Sequence, residues 1–138
     1  MEVTKLNILL IEDDTIEIMK LQRTLSKLNL NHNVIEATNG EEALKILKQN
    51  TAKPNIIILD LNMPKMNGIE FLTSLKADAT LKYLPTIVFT TSNNHKDLLE
   101  CYKIGISGYV IKPLKYLDYV EKLNKILTYW SVNEIIKE

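Results

Sequence analysis

The sequence predicts a doubly wound α/β fold with a five-stranded parallel sheet, on three observations. Short runs of Ile, Val and Leu recur five times, longer amphipathic stretches separate them, and turn residues stand at the breaks. Strands are expected at 6–11, 34–37, 56–59, 86–89 and 109–111, because a parallel strand covered on both faces reads as a brief, near-continuous apolar run. In the first connection Ile16, Met19, Leu25 and Leu28 recur at helical spacing and predict an apolar helix face, as Ala43, Leu44, Ile46 and Leu47 do in the second. A third helix is expected over 68–77 with Ile69, Phe71, Leu72 and Leu75 inward, a fourth over 96–104 and a fifth over 117–130. The breaks carry matching chemistry: Asn39-Gly40, Pro54-Asn55, Leu84-Pro85 and, after the fourth helix, Gly105.

Length and composition narrow the function. A chain of 138 residues suits one domain, expected over 1–130, with 131–138 extending the last helix or fraying. Seventeen basic residues balance seventeen acidic ones, so no positive field is available to hold nucleic acid or an anionic membrane. The longest apolar runs, 8–11 and 56–59, fall far short of the ~20 residues that span a bilayer. Cys101 has no partner for an internal disulfide and the start lacks a basic, cleavable signal, so a cytoplasmic protein is expected. Cys101 itself reads as a buried or half-buried helix residue, and His32 and His95 as solvated residues at helix boundaries.

In a doubly wound sheet, ligands bind beyond the carboxyl ends of the strands. Here those positions are polar: Glu12, Asp13 and Asp14 follow the first strand, Asp60 the third, Thr90 and Thr91 the fourth, and Lys112 the fifth. Each has a plain structural reading. Asp14 suits a helix N-cap, Asp60 a loop acid bonded to local amides, Lys112 a snorkelling cation and Thr90 a β-branched strand residue. Together they say more, because adjacent carboxylates repel one another and imply a cation. Several carboxylates with a backbone carbonyl form an open oxygen cage of the kind Mg²⁺ occupies while still accepting phosphate oxygens. Lys112 and the Thr90 hydroxyl then face the same edge as a charge and a donor for phosphate.

The stretches ILLIEDD, IIILDLNMPKMNG, IVFTTS and GYVIKPL stand in the order and spacing of one family. Over about residues 5–128 the chain resembles the CheY-like receiver domains of two-component response regulators. The resemblance implies a flavodoxin-like fold with strand order 2-1-3-4-5 and phosphoryl transfer from a histidine kinase onto Asp60. It implies Mg²⁺ held by Asp13 directly, by Glu12 through water, by Asp60 and by the main-chain carbonyl of Asn62. Thr90 matches the switch hydroxyl, Tyr109 the aromatic switch, Lys112 the lysine on the phosphoryl oxygens, and Pro113 a proline that usually follows a cis peptide bond. Asp14 is then a cap or a supporting acid.

With no output domain in the 138 residues, the resemblance is to stand-alone regulators. Thr90-Thr91-Ser92 and Tyr129-Trp130 look like those that partner phytochrome-type and hybrid sensor kinases. A homodimer is expected through the fourth helix, fifth strand and fifth helix, or through the Tyr129-Trp130 end with Tyr119; the alternative is a monomer whose rings close its own core. Two other functions compete. One is a receiver-shaped module that never carries phosphate, although no acid or lysine of the set is missing. The other is a Mg²⁺-dependent aspartyl-phosphate hydrolase, which would want a second acid where Asn62 stands. A regulator, not a turnover enzyme, is expected.

Overall fold

Successive strand residues face opposite sides of a sheet, so a run such as Ile8-Leu9-Leu10-Ile11 must feed two cores at once. It does so in the computed structural model, which describes residues 4–49 and 53–136. The elements run β1 (Asn7–Ile11), α1 (Thr15–Lys27), β2 (Asn33–Ala37), α2 (Gly40–Lys48), β3 (Ile56–Leu59), α3 (Gly68–Ala77), a 3-10 turn (Leu81–Tyr83), β4 (Thr86–Thr90), α4 (His95–Ile104), β5 (Gly108–Ile111) and α5 (Tyr116–Ser131). All strand pairs are parallel, in the order β2-β1-β3-β4-β5. Leu9, Ile11, Ile57, Leu59 and Val88 face α2, α3 and α4 through Ala43, Leu47, Phe71, Leu72, Leu75 and Cys101. Ile8, Leu10, Ile56, Ile58, Ile87 and Phe89 face α1 and α5 through Ile18, Leu21, Leu25, Tyr119, Leu123 and Leu127.

Local chemistry starts and stops the helices. Asp14, Asn39, Asn67 and Asn94 each cap a helix by accepting a backbone N–H, and at α3 Glu70 closes a capping box with Asn67. Gly105 ends α4 at φ 118°, a left-handed conformation that glycine adopts without strain.

Four expectations need correction. The buried face of α1 is Ile18, Leu21, Thr24 and Leu25, while Ile16 and Met19 are 72% and 63% exposed. Ile16 lies roughly 200° around the helix from Ile18, so α1 carries two apolar stripes and only one meets the sheet. Tyr119 is 1% exposed in the core between Phe89 and Tyr116 and cannot form part of a dimer face. His32 is half-buried, its Nδ1 accepting the N–H of Leu6 at 3.0 Å and tying the start of the first strand to the second. The bond before Pro113 is trans, the form favoured for X–Pro by about 0.5–1 kcal/mol. His95 is exposed and Cys101 fully buried, as expected.

The last helix ends at Ser131, whose carbonyl accepts the N–H of Thr4 at 2.8 Å. Beyond it Ile135 packs on the core shared by α1 and α5, as half-buried Trp130 does, so through residue 136 the tail neither continues the helix nor leaves the fold. Residues 137 and 138 lie outside the described residues.

The loop between β3 and α3 is clamped by close backbone contacts. A Cβ on Gly68 would lie 2.8 Å from the Asp60 carbonyl oxygen and from the Leu61 Cα, and the Gly68 N–H donates to the Leu61 carbonyl at 3.1 Å. Gly68→Ala should therefore lower unfolding stability by about 2 kcal/mol, the range for forcing an atom into a packed site. Urea denaturation measures this; an unchanged midpoint would show that the loop is free to shift.

Candidate phosphoryl-transfer site

Two acids and the base of the site, Glu12, Asp60 and Lys112, extend the sheet, each held by a hydrogen bond to the neighbouring strand. The Glu12 N–H donates to Ala37 (2.9 Å), the Asp60 N–H to Ile11 (3.0 Å) and the Lys112 N–H to Thr90 (2.7 Å), so the ladder runs past the strand ends. Since Ile11 pairs with Leu59 and Thr90 with Ile111, Glu12 and Asp60 emerge side by side and Lys112 follows beside Thr90. The loop after Asp60 alternates inward and outward: Leu61 and Met63 anchor in the core and Asn62 is exposed.

One carboxylate oxygen each from Glu12, Asp13 and Asp60 falls within 4.8 Å of the others. Glu12 and Asp60 are buried and Asp13 is exposed, so the cluster is open on one side. Hard oxygen donors, crowded against their own repulsion and open to water, are the donor set that suits Mg²⁺ or a similar divalent cation. Asp14 is separate: its side chain caps α1, accepting the Ile16 N–H at 2.9 Å.

Lys112, 9% exposed, balances the acids from the far side. Its ammonium lies 2.5 Å from Glu12 and 3.3 Å from Glu17, so it is turned toward α1. Burial alone would favour neutral Lys112; Glu12, Asp60 and Glu17 outweigh it and hold the ammonium above its ordinary range. Burial pushes the Asp60 carboxyl up, against the opposing Lys112 charge and Thr90 hydroxyl, with Asp13 adding to the rise. Glu12 is likewise raised by burial, against Lys112.

Thr90 is fully buried at the end of β4, and its Oγ1 accepts the Ser92 N–H at 3.3 Å. The Tyr109 hydroxyl donates to the Ser92 carbonyl at 2.9 Å, and Ser92 Oγ donates to Asp97 on α4 at 2.8 Å. Thr90 and Tyr109 are thus joined through one residue. The structure brings together Glu12, Asp13, Asp60, Thr90 and Lys112, places Asn62 on the adjoining loop, and sets Tyr109 behind Thr90. Sequence reasoning missed Glu17; its signal was an acid one turn into the helix that follows the acidic cluster.

The fold and this edge are those of a receiver, and the comparisons agree. The family model described as response regulator receiver domain matches residues 8–124. Response regulator Rcp1 of Synechocystis is 33% identical over 128 residues, covering 89% of this chain and 87% of that protein. The crystal structure of the phosphorylated cyanobacterial phytochrome response regulator RcpA superimposes with a TM-score of 0.90 at 31% identity, over 97% of this chain and 100% of that one. The Mn²⁺-bound form of Rcp1 gives a TM-score of 0.87 at 30% identity, over 96% and 99% of the two chains. The chain belongs to the response regulator receiver family of two-component signalling.

The raised Asp60 carboxyl has a stability consequence with a definite sign. A carboxyl that holds its proton more tightly when folded contributes stability below its ordinary value of 3.8, and that contribution is lost as the pH rises through the higher folded value. At neutral pH the ionised Asp60 therefore weakens the fold. In metal-free buffer at pH 7, Asp60→Asn should raise stability by about 1 kcal/mol and Tm by about 3 °C. Thermal unfolding with a chelator present checks this; a lower Tm would show Asp60 to be a structural anchor.

Proposed function

We propose that Asp60 is the phosphoacceptor, with Mg²⁺ held by Glu12, Asp13, Asp60 and the main-chain carbonyl of Asn62. The observation that carries this reading is the convergence of three carboxylates and a buried lysine at the carboxyl edge of the sheet. Attack of an Asp60 oxygen on the phosphorus of a kinase phosphohistidine forms the acyl P–O bond as the P–N bond breaks and the imidazole leaves. When bound, the cation supplies positive charge against the repulsion between carboxylate and phosphoryl oxygens. Lys112 adds a point charge to those oxygens and Thr90 a hydroxyl donor. Drawing the Thr90 hydroxyl onto the phosphoryl group disturbs its contact with Ser92, and Tyr109, hydrogen-bonded to Ser92, moves with it. The face formed by α4, β5 and α5 then has two states.

The partner is a sensor histidine kinase, of the phytochrome type by likeness to RcpA. Exposed apolar residues rim the site where such a partner must approach: Ile16 and Met19 on α1, Leu114 after Lys112-Pro113, and Leu117 at the start of α5. The domain spans 1–130 and works in the cytoplasm; no helix among the described residues is long and apolar enough to cross a membrane. Homodimerisation uses Leu99, Tyr102, Ile111 and Tyr129, exposed on α4, β5 and α5. The chain is a regulator and not a turnover enzyme, since Asn62 occupies the position where a phosphohydrolase would place its second acid.

Incubation with acetyl phosphate and Mg²⁺ should add the mass of one phosphoryl group to the wild type and none to Asp60→Ala, read by intact-protein mass spectrometry. A gain that persists in Asp60→Ala would move the acceptor elsewhere. Asp13→Asn should weaken Mg²⁺ binding at least about tenfold, the scale of losing a ligand carboxylate from an open site, as a titration measures.

A further inference from the structure

Glu17 stands three residues past the N-cap of α1, the place from which an acid ordinarily closes a capping box. At α3 the equivalent Glu70 does this, accepting the Asn67 N–H at 3.0 Å while Asn67 accepts the Glu70 N–H at 3.0 Å. At α1 the N-cap Asp14 gives its N–H to Glu12 at 3.3 Å instead, and Glu17 is turned away. One Glu17 oxygen lies 3.3 Å from the Lys112 ammonium, and the other lies 3.2 Å from Lys20. Glu17 is not among the carboxylates that converge as a cation site. Its side chain is 18% exposed and that of Lys112 is 7% exposed, so the pair is only weakly screened by water.

We infer that Glu17 is a positioning residue of the phosphoryl-transfer site, a second counterion that holds the Lys112 ammonium on the α1 side and competes for it with phosphoryl oxygens arriving on Asp60. The inference rests on the reading of Asp60 as acceptor and of Lys112 as the cation that meets the phosphoryl group. Lys112 cannot give full charge to a new anion while two carboxylates hold it, and the longer contact, to Glu17, is the easier one to give up. Glu17 thereby favours the unphosphorylated state. When Lys112 leaves, Glu17 keeps Lys20, whose ammonium lies 4.4 Å from the centre of the Tyr119 ring between α1 and α5. The plain alternative is a first-turn acid that only complements the helix dipole.

The test is Glu17→Gln, which keeps shape and removes charge, titrated with beryllium trifluoride as a phosphoryl mimic in saturating Mg²⁺ and followed by ¹⁹F NMR of the bound fluorides. Mg²⁺ affinity is measured separately without the mimic. We expect the variant to bind the mimic about fivefold more tightly than wild type at low salt, with Mg²⁺ affinity within about twofold. A damaged fold would weaken both, so selective tightening cannot come from structural loss. Mimic affinity weaker than wild type or within about twofold of it, or an equal gain in Mg²⁺ affinity, would overturn the inference. A wild-type chain that does not bind the mimic overturns the acceptor reading, and this inference with it.

Discussion

The constraint on which the rest of this molecule depends is uncompensated negative charge at the carboxyl edge of its sheet. Parallel strands with both faces buried deliver Glu12 and Asp60 side by side, and the ladder bonds at their N–H groups fix their main chains as neighbours. Lys112 is the fixed response to that charge, buried 2.5 Å from Glu12 and tethered to β4 through its own N–H. One lysine cannot neutralise Glu12, Asp13 and Asp60 together. The remaining imbalance makes the site receptive to a divalent cation, and then to a phosphoryl group that a bare carboxylate cluster would repel.

The same placement ties the site to distant surfaces. Thr90 contributes its hydroxyl at the edge and its backbone to β4, so movement there reaches Ser92, then Tyr109 and Asp97, through single hydrogen bonds. Lys112 reaches α1 through Glu17 and Lys20. Both routes start from groups that face Asp60, Thr90 in one case and Lys112 in the other. They end on different faces, one on α4 and β5, the other between α1 and α5.

Most of this was legible in the sequence because the information was local. Gly68–Ala77 is the helix expected, since Asn67, Gly68 and Glu70 mark its start and its apolar spacing fits only one face. Polar residues at strand ends could be read because a doubly wound sheet gathers such ends together. The failures came where two local patterns were equally good. On α1 the stripe of Ile16 and Met19 and the stripe of Ile18, Leu21 and Leu25 are both apolar, and only packing against the sheet decides between them. Glu17 matched a capping residue in spacing, and Lys112, 95 residues away in sequence, redirects it. Tyr119 and His32 were misplaced for the same reason: their partners, Phe89 and the Leu6 N–H, are neighbours only in space.

Asp60 is held in a charge-crowded, desolvated position that a bound cation would relieve. Titrating the Asp60 side-chain carboxyl by ¹³C NMR, with and without Mg²⁺, tests this most directly. The midpoint should lie above the ordinary 3.8 in metal-free protein and fall when Mg²⁺ is added. A midpoint at or below 3.8 without metal, unmoved by Mg²⁺, would contradict it.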